Sequence, residues 1–133
     1  MLPEGGCLCG QVRYTIAAEL LLSAICHCRN CQKQSGTAFS VVNAYPASAY
    51  DQTGETRVFA DRGDSGKGVA RHFCPNCGSP IISVADAMPG IVIVKAGSLD
   101  GFADVRPTAE VYCDNALSWL PKLSATRFPR SNI

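Results

Sequence analysis

Seven of the eight cysteines fall into three tight clusters, and that spacing constrains the fold more than any other feature of the chain. The clusters are Cys7-Leu8-Cys9, Cys26-His27-Cys28-Arg29-Asn30-Cys31 and Cys74-Pro75-Asn76-Cys77-Gly78, with Cys113 standing alone. Thiols placed this way either cross-link the chain or hold metal. The opening Met1-Leu2-Pro3-Glu4-Gly5-Gly6-Cys7 lacks the basic segment and apolar run of a secretory leader. No uncharged apolar run approaches the roughly 20 residues needed to span a bilayer; the run Ile91–Val94 is stopped by Lys95. A soluble cytoplasmic protein with no membrane partner is expected. Reducing conditions there favour metal ligation or reactive thiols, with disulfides as the alternative if a leader has been trimmed.

The third cluster has the form of a zinc knuckle. Two cysteines separated by two residues turn back so that both sulfurs reach one ion, and Gly78 supplies the positive φ that brings amides to those sulfurs. A redox Cys-x-x-Cys pair is the other reading, but it belongs at a helix start in a βαβ setting, and Ser79 and Pro80 block a helix here. In an extended segment Cys7 and Cys9 lie on one face. Joined to Cys74 and Cys77, they would close a four-thiolate structural site. Cys26, Cys28 and Cys31 offer three ligands with a fourth position open, the arrangement of catalytic zinc. Such a site can hold an incoming thiol as a nucleophilic thiolate. Cys113 is the one remaining thiol that could close it, but its apolar setting, Glu-Val-Tyr-Cys, favours a buried free cysteine. His27, between two candidate ligands, should point away from the ion, and His72 reads as a strand-surface or supporting residue. Trp119 reads as a core anchor.

Val12, Tyr14 and Ile16 alternate with Gln11, Arg13 and Thr15, which predicts a half-buried strand over 11–16. Short β-branched or aromatic runs at 39–45, 56–60, 69–73, 81–84 and 91–96, separated by turn residues, predict further strands in an antiparallel architecture. Residues 29–35 and 116–120 are the only candidates for a helical turn or two. Asp61 to Gly68 reads as an exposed turn; its glycines lack the Gly-Lys-Ser/Thr ending of a phosphate loop. At 133 residues the chain is expected to form a single domain over 1–133. Its 12 basic and 11 acidic residues give no field to draw nucleic acid.

Gly5-Gly-Cys-Leu-Cys-Gly-Gln-Val-Arg-Tyr14, Cys26-His-Cys-Arg-Asn-Cys-Gln-Lys-Gln-Ser-Gly-Thr-Ala-Phe39 and Phe73-Cys-Pro-Asn-Cys-Gly-Ser-Pro80 closely resemble the glutathione-dependent formaldehyde-activating enzyme family. The stretches Ala96-Gly-Ser-Leu-Asp100 and Glu110-Val-Tyr-Cys-Asp-Asn-Ala-Leu-Ser-Trp-Leu120 are similar to it as well. The resemblance implies a mainly β fold, an antiparallel β-tent of small sheets with few short helices. It implies a structural zinc on Cys7, Cys9, Cys74 and Cys77 and a second zinc on Cys26, Cys28 and Cys31. It implies an activity in which glutathione and formaldehyde combine to S-hydroxymethylglutathione, a carbon–sulfur lyase reaction when run in reverse. Glu110 stands where the family has a C-terminal histidine.

Two functions follow as expectations. In the first, Cys26, Cys28 and Cys31 form the catalytic centre of a zinc-dependent lyase or synthase acting on a glutathione–formaldehyde adduct or a related small-thiol adduct. Arg29 and Lys33, flanking that cluster, would then bind the carboxylates of glutathione, or else be solvated surface charges. In the second, the chain is a non-enzymatic zinc module that binds a protein or senses thiol status.

Overall fold

The computed structural model describes residues 2–131. Among them the strands are β1 (Glu4–Gly6), β2 (Arg13–Ile16), β3 (Leu22–Cys26), β4 (Ser40–Pro46), β5 (Tyr50–Thr53), β6 (Arg57–Arg62), β7 (Gly68–Phe73), β8 (Pro80–Ala85), β9 (Ile91–Lys95) and β10 (Ala109–Val111). One α-helix, α1 (Arg29–Ser35), lies between β3 and β4. The fold is mainly β. A three-stranded sheet, β1-β2-β5, faces a seven-stranded sheet in the order β10-β3-β4-β9-β8-β7-β6. Both are antiparallel except at one edge, where β10 runs parallel to β3.

The core lies between the sheets and follows from period-two alternation. Val12, Tyr14 and Ile16 are buried on the small sheet's side and pack with Tyr45, Val92 and Val94 of the large sheet. The other face of β9 carries Ile93 and Lys95, and the other face of β4 carries Val42 and Ala44, paired across the strands as Val42 with Lys95 and Ala44 with Ile93. One face of the large sheet is therefore core, while the opposite face lines a cavity.

Helix α1 has the bounds its sequence suggests. The sulfur of Cys28 caps its start by accepting the Cys31 amide at 3.2 Å. Gly36 ends it in the left-handed conformation at φ 70°, which glycine adopts without a Cβ penalty. The helix expected at 116–120 is absent. That stretch forms a turn after a short 3-10 segment at Cys113–Asn115, because five residues ahead of Pro121 cannot repay the cost of nucleation. Trp119, expected in the core, is 71% exposed on that turn. The chain after it returns to dock beside β10, with Glu110 N donating to Thr126 O at 2.9 Å and Phe128 N to Glu110 O at 2.9 Å. Among the described residues no helix is long and apolar enough to cross a membrane.

Candidate metal centres and cavity

Cys7, Cys9, Cys74 and Cys77 converge, with all four sulfurs within 4.8 Å of one another. The first pair achieves this by a turn rather than by the extended segment expected. Gly10 N donates to Cys7 O at 3.2 Å, and Gly10 takes φ 82°, which tightens the loop. The second pair closes in the same way, with Gly78 N donating to Cys74 O at 2.9 Å and Gly78 at φ 79°. Sulfurs about 2.3 Å from a tetrahedral zinc would be about 3.8 Å apart. Here Cys7 and Cys9 are 3.6 Å apart, and Cys9 and Cys74 are 3.8 Å apart. The donor set fits such an ion. Amides support it, since Val12 N donates to Cys7 Sγ at 3.2 Å and Asn76 N to Cys74 Sγ at 3.4 Å. Hydrogen bonds from the Ser79 hydroxyl, the Ser79 amide and the Cys9 amide hold the Cys77 thiol down at about 5.

The sulfurs of Cys26, Cys28 and Cys31 also lie within 4.8 Å of one another. Cys26 comes from the end of β3, Cys28 from the cap of α1 and Cys31 from its first turn. Three soft donors fit a metal with one corner left over. Hydrogen bonds from Cys26 and then Cys28 hold the Cys31 thiol well below its ordinary range, against burial and with help from the charges of Lys95 and Arg71. The same crowding pushes Cys26 up, first through Cys28 and Cys31 and then through burial.

These three thiols sit in the wall of a cavity of about 890 Å³, within the size range of ligand sites. Arg29 lines it and also donates to Gln32 Oε1. Lys33 is exposed and is not among the lining residues. Three buried polar residues of the lining stand in no motif that marks them in the sequence as site residues. Lys95 is buried, with Nζ donating to Ser40 Oγ at 3.0 Å, and burial pushes its ammonium down, opposed chiefly by Cys31. Arg71 is buried, with Nε on Asp61 Oδ2 at 2.8 Å. Ser83 is buried with no hydrogen-bond partner for its Oγ. The available signal was charge in the middle of apolar strands: Lys95 ends Ile-Val-Ile-Val, and Arg71 interrupts Gly-Val-Ala-Arg-His-Phe.

His27 stands apart from the three thiols, grouped instead with Glu110 and Cys113. Its Nε2 donates to Glu110 Oε1 at 2.8 Å in a fully buried pair. Glu110 Oε2 accepts the amides of Leu123 and Ser124 at 3.0 and 2.9 Å and the guanidinium of Arg127. With both carboxylate oxygens so engaged, Glu110 serves as a buried strap that ties the returning C-terminal segment to the residue between Cys26 and Cys28. Cys113 is partly buried. His72 holds Thr56 Oγ1 at 2.9 Å on β7.

A family model described as glutathione-dependent formaldehyde-activating enzyme matches residues 2–115. A protein of Emericella nidulans, provisionally named as a glutathione-dependent formaldehyde-activating enzyme, is 32% identical over 72 residues, covering 54% of this chain. The match spans only 36% of that relative's length. A crystal structure of a Rhodobacter sphaeroides protein superimposes with a TM-score of 0.58 at 21% identity, covering 78% of this chain and 91% of the other. At that identity the likeness concerns the fold.

Proposed function

The chain belongs to the glutathione-dependent formaldehyde-activating enzyme family, and on that premise we propose that it is a zinc-dependent carbon–sulfur lyase, or in reverse a synthase. Its substrate is S-(hydroxymethyl)glutathione or a related small-thiol adduct. One observation carries the reading: three converging thiols, one donor short of a tetrahedral set, stand in the wall of a large cavity. Zinc held by Cys26, Cys28 and Cys31 would keep an incoming thiol in its nucleophilic thiolate form at neutral pH. Zinc on Cys7, Cys9, Cys74 and Cys77 would be structural.

The chain's own groups supply the rest. Arg29, Arg62, Lys67 and Arg130 line the cavity and offer cations to the two carboxylates of glutathione. Lys95 and Arg71 place positive charge beside the thiols, where negative charge gathers as a thiolate approaches. In synthesis the thiolate sulfur bonds to the carbonyl carbon as the carbonyl π bond breaks, and the carbonyl oxygen takes the proton that the thiol gave up. Lys95, which lines the cavity and carries its charge beside Cys31, would hydrogen-bond that oxygen.

Exchange NMR with labelled formaldehyde and glutathione tests the proposal. Micromolar protein should accelerate exchange between free formaldehyde and the adduct, and exchange no faster than the spontaneous reaction would refute it.

A further inference from the structure

A one-carbon adduct needs only the thiol end of the cavity, yet aliphatic residues of β3, β4 and β9 line the cavity as well. Cross-strand register places Leu22 opposite Ala44, Ala24 opposite Val42 and Cys26 opposite Ser40. Directly paired residues point to the same face, so Leu22, Ala24 and Cys26 form one row. Ala44 with Ile93 and Val42 with Lys95 extend that face across β9. Leu22, Val42 and Ile93 are only partly covered in this structure, while Ala24 and Ala44 are buried. Small alanines set between larger aliphatic residues leave a shallow trough. Along β3 the floor runs about 13 Å from Cys26 to Leu22, at roughly 3.3 Å per residue. Beside it on β8, Ser83 holds a buried hydroxyl with no partner in the chain, directly across from Ile93.

An apolar trough left open to water next to a polar reaction end calls for a ligand with both characters. We propose that the cavity takes a thiol adduct whose sulfur-bound carbon carries an extended apolar substituent, a hemithioacetal of an aldehyde several carbons long. The sulfur lies at Cys26, Cys28 and Cys31, the cationic rim takes the peptide carboxylates, and the hydrocarbon lies along Leu22, Ala24, Val42, Ala44 and Ile93. The reaction rests on the lyase reading above; the fit does not. In the lyase direction the carbon–sulfur bond breaks with its electron pair passing to sulfur. The adduct hydroxyl becomes the aldehyde carbonyl, and its proton ends on the released thiol. Nothing is oxidised or reduced.

Calorimetric titration of the metal-loaded protein with two stable thioethers, S-hexylglutathione and S-methylglutathione, separates the two readings. Each buried methylene is worth about 0.8 kcal/mol, a factor of about four, so the hexyl compound should bind at least about tenfold tighter. Equal or weaker binding would overturn the inference. Ala44→Phe, which fills the trough from the cavity side, should bring the hexyl-to-methyl ratio close to one. A full preference surviving in a folded Ala44→Phe protein would also overturn it, and should that variant fail to fold, the wild-type comparison stands by itself. A hexyl preference without formaldehyde exchange would end the formaldehyde reading and uphold the ligand class. Exchange without a hexyl preference would do the reverse.

Discussion

Replacing Cys77 with alanine should remove much of the protein's stability, and the size of the loss follows from the chain length the four-thiol cluster closes. Cys9 and Cys74, whose sulfurs are 3.8 Å apart, are 65 residues apart in sequence. Treating the metal clip as a cross-link of that span, chain entropy gives about 4 kcal/mol. A domain of this size has a total stability of about 5–15 kcal/mol. That figure is the loss expected when the three thiols left behind no longer hold the ion. In guanidinium, with a slope of about 4 kcal/mol/M, the midpoint should fall by about 1 M. Cys28→Ala provides the contrast. It removes one ligand from the open cluster and the cap of α1, which costs about 1 kcal/mol, so its midpoint should fall by only about 0.3 M. Metal analysis beside the denaturation curves completes the assay: Cys28→Ala should fold with about one equivalent less than wild type. Equal midpoint shifts for the two variants would refute the division into a fold-holding cluster and a reactive one.

Glu110→Ala strips a buried carboxylate from His27, Arg127 and two amides, and breaking such a network should cost about 3–5 kcal/mol. Limited proteolysis should then cut first after residue 116; unchanged cleavage and melting would contradict the strap. Lys95→Met removes the cation buried beside the thiols and should lower kcat/KM by about 100-fold, the scale of losing one preorganised electrostatic partner. The four-thiol metal should be retained, and full activity in this variant would exclude Lys95 from the site. Asp61 supplies a pH test. Burial raises its carboxyl, but the hydrogen bond from Arg71 and the Arg62 amide outweigh this and hold it below its ordinary 3.8. Its contribution is therefore complete above the ordinary value and is lost as pH falls through the depressed folded one. Asp61→Asn should flatten the acid limb of a stability–pH curve; an identical limb would remove Asp61 from that role.

The sequence discloses those elements whose residues alternate over several positions. The segment ending in Val12, Tyr14 and Ile16 reads as a strand because its apolar positions recur at period two, and all three are buried. Strand β3 does not alternate: Leu22-Ser-Ala-Ile-Cys26 shows no period-two contrast, because one of its faces is buried in the fold and the other lines the cavity. Strand β5, Tyr-Asp-Gln-Thr, is polar because it edges the small sheet, and β10 is three residues long. Such short or two-faced strands carry no periodic signal. Local spacing marked each run of cysteines, but that Cys7 and Cys9 meet Cys74 and Cys77 is a long-range contact that spacing alone does not fix. The cations were not legible, since Arg71 and Lys95 come from β7 and β9 and approach Cys31 only through the strand order of the large sheet.

Strand β9 explains why core and site are built by the same residues. Val92 and Val94 face the small sheet, while Ile93 and Lys95 face the cavity. A register slip of one residue would bury Lys95 in the apolar core and place valines beside the thiols. An ammonium in an apolar core without a partner is strongly disfavoured. The register that packs Val92 and Val94 against Tyr14 and Tyr45 therefore also sets the height at which Lys95 meets Cys31. Substitutions in the core that loosen β9 should then alter the site without touching a lining residue. The reverse does not hold, because Ala44 or Ile93 can change size into the open cavity while the core stays packed. That asymmetry makes the trough the part of the molecule in which ligand preference can vary without loss of fold.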